Sequence, residues 1–198
     1  MSAPVGIVLL AAGRGTRFGP SPKLLAPLDG KPLVRHAAEA AIAAGLGPVV
    51  AVLGHAEPDV RAALQGLGLA AVTNARYAEG LSTSLRAGLA ALPAEVAGAV
   101  ILLGDMPRVS AAVIRGLAAA FREAGEAPAA VIPVRAGRRG NPVLLNRRRL
   151  AADLATLAGD RGAGPLLAGR SDLLEWEVEE DAVLLDIDTP EALAGARR

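Results

Sequence analysis

The chain has 198 residues with 21 basic and 20 acidic side chains, so a net charge of +1 gives no overall field for nucleic acid or an anionic membrane. Cysteine is absent, which excludes disulfides, thiolate metal centres and thiol nucleophiles, while 52% hydrophobic residues are enough to build a core. The length suits one compact domain over 1–198. The opening MSAPVGIVLLAAG lacks a basic leader and is too short to span a bilayer, so the expected location is cytoplasmic.

Residues 5–11 form an apolar run ending at Gly13 and Gly15, which predicts a buried parallel strand feeding a glycine-rich loop. The next regular element is expected only near Lys31. A helix over 32–44 closes at Gly45-Leu46-Gly47, and 49–53 make a strand with Gly54 at its exit. The alternation continues with a helix over 58–65, a strand over 70–73, a helix over 82–91 and a strand over 99–103. Ser110 suits the N-cap of a helix over 110–124, which leads into a strand over 129–134.

The rhythm then breaks. Residues 135–139 are basic, 142–145 read as a strand, 147–157 as a helix and 158–169 as a glycine-containing loop. A polar strand near 173–178, a short strand over 183–185, a turn over 186–190 and a last helix complete the chain. The expected fold is α/β: a Rossmann-like three-layer domain with helices on both faces of a mostly parallel sheet.

The first loop reads Leu10-Ala11-Ala12-Gly13-Arg14-Gly15-Thr16-Arg17-Phe18-Gly19, followed by Pro22-Lys23. Glycines free backbone N–H groups to converge on a phosphate, and Arg17 and Lys23 add charge, with Pro22 aiming Lys23 back at the loop. The dinucleotide fingerprint G-x-G-x-x-G is not matched, because the third glycine comes one residue late; taken alone, the loop reads equally as a tight turn. Asp105 follows a wholly apolar strand, where open α/β sheets place ligands, although a turn aspartate has the same signature. Asp186 and Asp188 follow the short strand over 183–185 and share one side of it by alternation, whereas Asp188 before Thr189-Pro190 also suits a helix cap. Mg²⁺ needs one or two carboxylates plus substrate phosphates, and Asp105 with Asp188 supplies that pair. In a parallel sheet these strand exits share one edge.

At these residues the sequence resembles the molybdenum cofactor nucleotidyltransferases of the NTP-transferase superfamily, and among them the molybdopterin cytidylyltransferases. The likeness covers nearly the whole chain. It rests on Leu10 to Gly19 with Lys23, on Gly104-Asp105-Met106-Pro107, on Asn74 with Gly80 to Leu89, and on Asp186-Ile187-Asp188-Thr189-Pro190-Glu191. The resemblance implies a nucleotide-diphospho-sugar-transferase-like fold. It implies that Leu10, Ala11, Ala12, Gly13 and Gly15 hold the nucleotide, that Arg17 and Lys23 bind its phosphates, and that Asp105 and Asp188 carry Mg²⁺. It also implies that the base lies near Ala12, Gly54 and Asn74, with Ser82 and Ser84 in the nucleotide-binding segment. Ala12 stands where guanylyltransferases of the group have glycine, which favours CTP over GTP.

Two departures fall in segments that the resemblance implies face the acceptor: Asn141 stands where the family often has histidine, and Gly159-Asp160-Arg161-Gly162-Ala163-Gly164 differs from G-D-x-G-A-R. The implied partners are CTP or another NTP and a phosphorylated pterin, with a molybdoenzyme or its chaperone as a candidate recipient, and neither nucleic acid nor membrane.

An ionised acceptor phosphate attacking the α-phosphorus needs no general base, which agrees with a chain whose only histidines are His36 and His55. The basic stretch 135–139 reads as an anion site or a solvated face, and Arg147 to Arg149 as a solvated helix face. The rival readings are a guanylyltransferase of the same cofactor, the isoprenoid-pathway cytidylyltransferase, and a nucleotide-binding accessory protein without turnover.

Overall fold

β1 (Val5–Ala11) is buried along its whole length. Its side chains alternate between two cores, with Val5, Ile7 and Leu9 on one face and Val8 and Leu10 on the other, which is why the run lacks polar residues. The computed structural model describes residues 4–159 and 162–196. After β1 come the hairpin β2 (Pro27–Leu28) and β3 (Lys31–Pro32), α1 (Leu33–Ala44), β4 (Val49–Leu53), α2 (Glu57–Ala63) and β5 (Ala70–Thr73). α3 (Leu81–Ala91), β6 (Gly98–Leu103), α4 (Ala111–Glu123), β7 (Ala130–Arg135), β8 (Arg138–Arg139) and β9 (Val143–Asn146) follow. α5 (Ala151–Thr156), α6 (Gly164–Leu167), β10 (Leu173–Glu177) and α7 (Pro190–Ala196) complete the described elements.

The main sheet has eight strands in the order β10-β7-β9-β6-β1-β4-β5, with β8 paired to β7. β1 is parallel to both β4 and β6, β4 to β5, and β10 to β7, while β9 runs antiparallel between β6 and β7. The expected three-layer α/β architecture is the one observed: α1, α2 and α4 contribute to one core, and α3, α5 and α6 to the other.

Local sequence sets the helix limits. α1 buries Leu33, Val34, Ala37, Ala38, Ala41 and Ala44, a stripe at helical spacing, and ends at Gly45 in the left-handed region. Ser110 caps α4 by accepting from the Val113 N–H at 3.2 Å. Against the opposite face, Gly88 of α3 lies so close that an added Cβ would come within contact distance of Val8 and Val52.

Several expectations are corrected. The short strand expected over 183–185 is a 3-10 turn, Asp181–Leu184, closed by Val183 N–H to Glu180 O and Leu185 N–H to Ala182 O. The helix expected over 147–157 starts only at Ala151, because residues 147–150 form a turn around Asn146. The loop expected over 158–169 contains α6, with Pro165 in its first turn. The region before Lys31 also holds the β2–β3 hairpin, whose Asp29 and Gly30 both take positive φ. The last helix is seen as far as Ala196, and residues 197–198 lie outside the described residues.

Candidate active site

β1 and β6 are adjacent and parallel, and Leu10 is in register with Leu103, so the loops leaving both strands emerge side by side. From β1 the chain builds β4 and β5 on one flank before placing β6 on the other, which makes this edge a topological switch point. Gly104 N–H donates to Leu10 O at 3.0 Å, and a Cβ there would lie 3.1 Å from that oxygen. Glycine thus lets the Asp105 segment leave β6 directly beside the first loop.

In that loop Gly15 takes φ 59°, and a Cβ on it would stand 2.8 Å from Lys23 Cβ. Both the conformation and the close approach require glycine, and together they fold the loop back onto Lys23. Lys23 opens the short 3-10 turn Lys23–Leu25 after Pro22 and is buried, at 9% exposure. Its ammonium donates to Asp105 Oδ2 at 2.5 Å and to Asp188 Oδ1 at 2.9 Å. Arg17 pairs with the other Asp188 oxygen at 2.6 Å.

Asp188 reaches this cluster because its neighbour is anchored. Ile187 is fully buried with Leu28, Leu33 and Leu193, and its N–H donates to the Asp105 carbonyl at 2.9 Å. The capping of α7 falls to Thr189, whose hydroxyl accepts from Ala192 N–H at 3.2 Å, leaving Asp188 to face Lys23. Asp186 is exposed.

The electrostatics are mutual. Burial works to lower the Lys23 ammonium, but the charge and hydrogen bond of Asp105, with those of Asp188, outweigh it and hold the pKa above its ordinary value. Burial likewise works to raise Asp188, and Lys23 and then Arg17 pull it below the usual carboxylate range. Asp105 Oδ1 is buried with no hydrogen-bond partner among the described residues. An orphan carboxylate oxygen beside a second carboxylate suits a hard cation that also takes phosphate oxygens. Among the described residues no cluster of three or more acidic, histidine or cysteine side chains offers a fuller cage.

Two connected clefts meet at Lys23 and Asp105. One is lined by Leu10, Ala12, Gly13, Leu24, Leu81 and Leu103, and the other, polar, by Gly15, Thr16, Arg17 and Asp188. Gly13 has open space where a side chain would project, so the backbone there is free to meet a ligand. Ala11 is fully buried and lines neither cleft. Gly54 stands behind Ala12, and a Cβ on it would lie 2.9 Å from Ala12 Cβ and 2.7 Å from Tyr77 Cβ.

Asn74 and Ser84 line neither cleft: the Asn74 amide donates to Thr83 and Ser84 hydroxyls at 2.8 and 2.9 Å and accepts from Arg76 N–H at 3.0 Å. This network braces the start of α3. Ser82 is 1% exposed, and its hydroxyl has no partner among the described residues. His36 Nε2 donates to Leu28 O at 2.8 Å, pinning the hairpin to α1. His55 N–H donates to Ala12 O at 3.1 Å while its ring neighbours Tyr77, over which Arg14 lies at 5.6 Å.

The sequence reading missed Leu24, Leu81 and Leu103 as cleft walls; their positions next to Lys23, Gly80 and Gly104 were the signal. It also misplaced Arg147. Rather than lying on a solvated face, that guanidinium donates to the carbonyls of Leu89 in the last turn of α3 and of Pro93 and Val96 beyond it. In the basic stretch Arg135 pairs with Asp181 and Arg139 with Glu175. Asp160 and Arg161 lie outside the described residues. Among the described residues no helix is long and apolar enough to cross a membrane.

The chain is similar to several known proteins. The bifunctional protein GlmU of Kineococcus radiotolerans is 38% identical over 129 residues, covering 64% of this chain and 26% of GlmU, so this chain spans about a quarter of that protein. Nicotine blue oxidoreductase of Paenarthrobacter nicotinovorans is 32% identical over 190 residues, covering 94% of this chain and 93% of that protein. The crystal structure of Rv0371c from Mycobacterium tuberculosis superposes with a TM-score of 0.84 at 31% identity, covering 100% of this chain and 99% of that one. The same protein solved in complex with manganese gives 0.79 at 30%, covering 99% and 98%. The model of the MobA-like NTP transferase domain matches residues 7–176. With that match over most of its length, the chain belongs to the MobA-like NTP transferase family.

Proposed function

We propose that the protein transfers CMP from CTP to the phosphate of a molybdopterin-type acceptor, with release of pyrophosphate. The observation that carries the reading is the clasp of Lys23 on Asp105 and Asp188 beside the open backbone of Gly13. The backbone of residues 10–15 receives the nucleotide, and Arg17 and Lys23 turn from their carboxylates to the phosphates, offsetting charge that grows as pyrophosphate departs. Asp105, with its orphan oxygen, and Asp188 hold Mg²⁺, which supplies Lewis-acid stabilisation of phosphate charge. The manganese complex of the mycobacterial neighbour supports a divalent cation. No residue has to remove a proton, because a phosphate acceptor is ionised at neutral pH, and His36 is occupied in the fold. Ala12, packed against Gly54, takes space at the base end and favours the smaller pyrimidine.

The test incubates purified protein with Mg²⁺ and each NTP, with and without molybdopterin, and measures pyrophosphate. Acceptor-dependent release with CTP is expected; no release with any NTP overturns the reading. A second reading, an oxidation or reduction of nicotine blue, is favoured by the near full-length likeness to nicotine blue oxidoreductase. It is scored in the same preparation by following NADH and NADPH absorbance with nicotine blue present.

A further inference from the structure

On the face of the sheet that α3, α5 and α6 cover, residues of α3 and α5 line a groove of about 270 Å³. Arg86, Leu89 and Ala90 reach it from α3, and Ala151, Leu154 and Ala155 from α5, each set at the i, i+3, i+4 spacing that puts side chains on one helix face. Leu89 and Leu154 are buried and make an apolar floor, and the alanines, with nothing beyond Cβ, leave it open. Leu81 in the nucleotide cleft and Leu89 in the groove stand on the same helix about 12 Å apart, so the groove is a separate place on the molecule.

Charge in this lining is uncompensated. Arg86 is exposed and has neither an ion-pair nor a hydrogen-bond partner among the described residues. Arg147, the other cation of the groove, spends three of a guanidinium's five N–H donors on neutral carbonyls, which hold it in place without cancelling its charge. Its Nε–H and one Nη2–H have no partner among the described residues. Burial pulls Arg147 below the ordinary guanidinium value, opposed by the charge of Glu95, which forms no ion pair with it among the described residues. Elsewhere on this surface Arg135, Arg139, Arg149 and Arg170 each pair with a carboxylate. Size then decides between a protein and a small molecule. The α5 wall has six residues, about 9 Å of helix, whereas a stable protein interface covers about 800 Å² on each partner. The groove's volume lies just below the range of about 300–1,000 Å³ usual for small ligands.

We propose that this groove binds a small free amphipathic anion, a carboxylate with a short aliphatic chain, whose head meets Arg86 and Arg147 and whose chain lies on Leu89 and Leu154. The assignment is independent of the transfer reaction. The probe is hexanoate, titrated into the whole ¹⁵N-labelled protein with amide shifts as the readout. 1-Hexanol and inorganic phosphate serve as separate arms that keep only the chain or only an anionic head. Saturable shifts are expected at the amides of Leu89, Ala90, Leu154 and Ala155, and CTP is expected to leave hexanoate bound. Each single-feature probe is expected to bind at least about fivefold more weakly than hexanoate, since each forgoes one half of the contact. Arg86 is exposed, so its replacement leaves the spectrum of the fold in place. Arg86→Gln is expected to weaken hexanoate about threefold, and Arg86→Glu, which adds repulsion, about tenfold. Equal hexanoate affinity in wild type and Arg86→Glu overturns the assignment. So do displacement by CTP, shifts centred on Leu10, Leu24 and Leu103, either single-feature probe binding as tightly as hexanoate, or no saturable shift up to about 10 mM.

Discussion

Lys23 Nζ stands 2.5 Å from Asp105 Oδ2, and it holds together two loops that lie 82 residues apart in the chain. The same ammonium reaches Asp188, so one cation bridges two carboxylates that are 18% and 25% exposed. Removing one member of a mostly buried ion cluster leaves the others uncompensated. Lys23→Met is therefore expected to lower stability by about 2–4 kcal/mol, measured by urea denaturation. Because the substitution frees Asp105 and leaves Asp188 with Arg17 alone, Mg²⁺ or Mn²⁺ is expected to restore more stability to the variant than to the wild type. Equal metal-induced shifts in melting temperature would count against Asp105 and Asp188 as the cation's ligands.

Asp105→Asn tests the same centre with little change in shape. The amide keeps an oxygen toward Lys23 but loses the charge that a divalent ion requires. Turnover is expected to fall by at least about 100-fold, or roughly 2.7 kcal/mol of transition-state stabilisation, with the fold unchanged by circular dichroism. Turnover within a few-fold of wild type would show that the cation is held elsewhere.

The acid limb of stability has a defined source at Asp188. Its pKa is lowered in the folded state, so its contribution is complete above the unfolded carboxylate value of about 3.9 and disappears as pH falls through the lower folded value. Lys23 behaves in the opposite sense: its raised pKa adds stability that is complete below about 10.4 and is lost only in stronger alkali. Wild-type stability is expected to drop on acidification below about pH 4, and Asp188→Asn to show a shallower drop over that window. Parallel acid limbs in the two proteins would remove Asp188 as the source.

Much of this arrangement was legible in the sequence because burial on both faces writes itself as uninterrupted apolar runs, as in Val5–Ala11 and Gly98–Leu103. Strand exits could then be located, and with them Lys23 and Asp105. Strand direction was not legible: β9 is as apolar as its parallel neighbours, yet it runs against them. The run over 183–185 deceived for the opposite reason, since Val183 is buried as a peg beneath a 3-10 turn and not as part of a ladder. The Asp29-Gly30 turn does carry a hairpin signal, with both residues at positive φ. Asn74 and Arg147 show a further limit. Both spend their polar groups on backbone or buried hydroxyls, and only tertiary contacts separate such braces from ligand-binding groups.

Arg147→Ala is expected to destabilise through uncapped carbonyls. Three backbone oxygens, those of Leu89, Pro93 and Val96, accept from this guanidinium at 2.7–3.0 Å. Losing charge-assisted bonds at a partly buried chain reversal costs about 1–3 kcal/mol in urea denaturation. The site lies away from Lys23, so kcat and the KM for CTP are expected to stay within about twofold, and a stability change under about 0.5 kcal/mol would return Arg147 to the solvated face.

Gly88→Ala gives the sharpest packing test, because two effects oppose each other there. Within helix α3, alanine is favoured over glycine by about 1 kcal/mol. The new methyl would lie 2.3 Å from Val8 Cγ1 and 2.8 Å from Val52 Cγ2, and both valines sit in the central strands. β1 and β4 are held on each side by other strands, so relief has to come from α3 moving outward. Overpacking of this kind costs about 1–3 kcal/mol, which exceeds the propensity gain over most of its range. Net destabilisation is expected in urea, accompanied by a loss of CTP affinity, because α3 carries Leu81 into the nucleotide cleft. A variant more stable than the wild type would show that α3 moves away from the sheet at little cost.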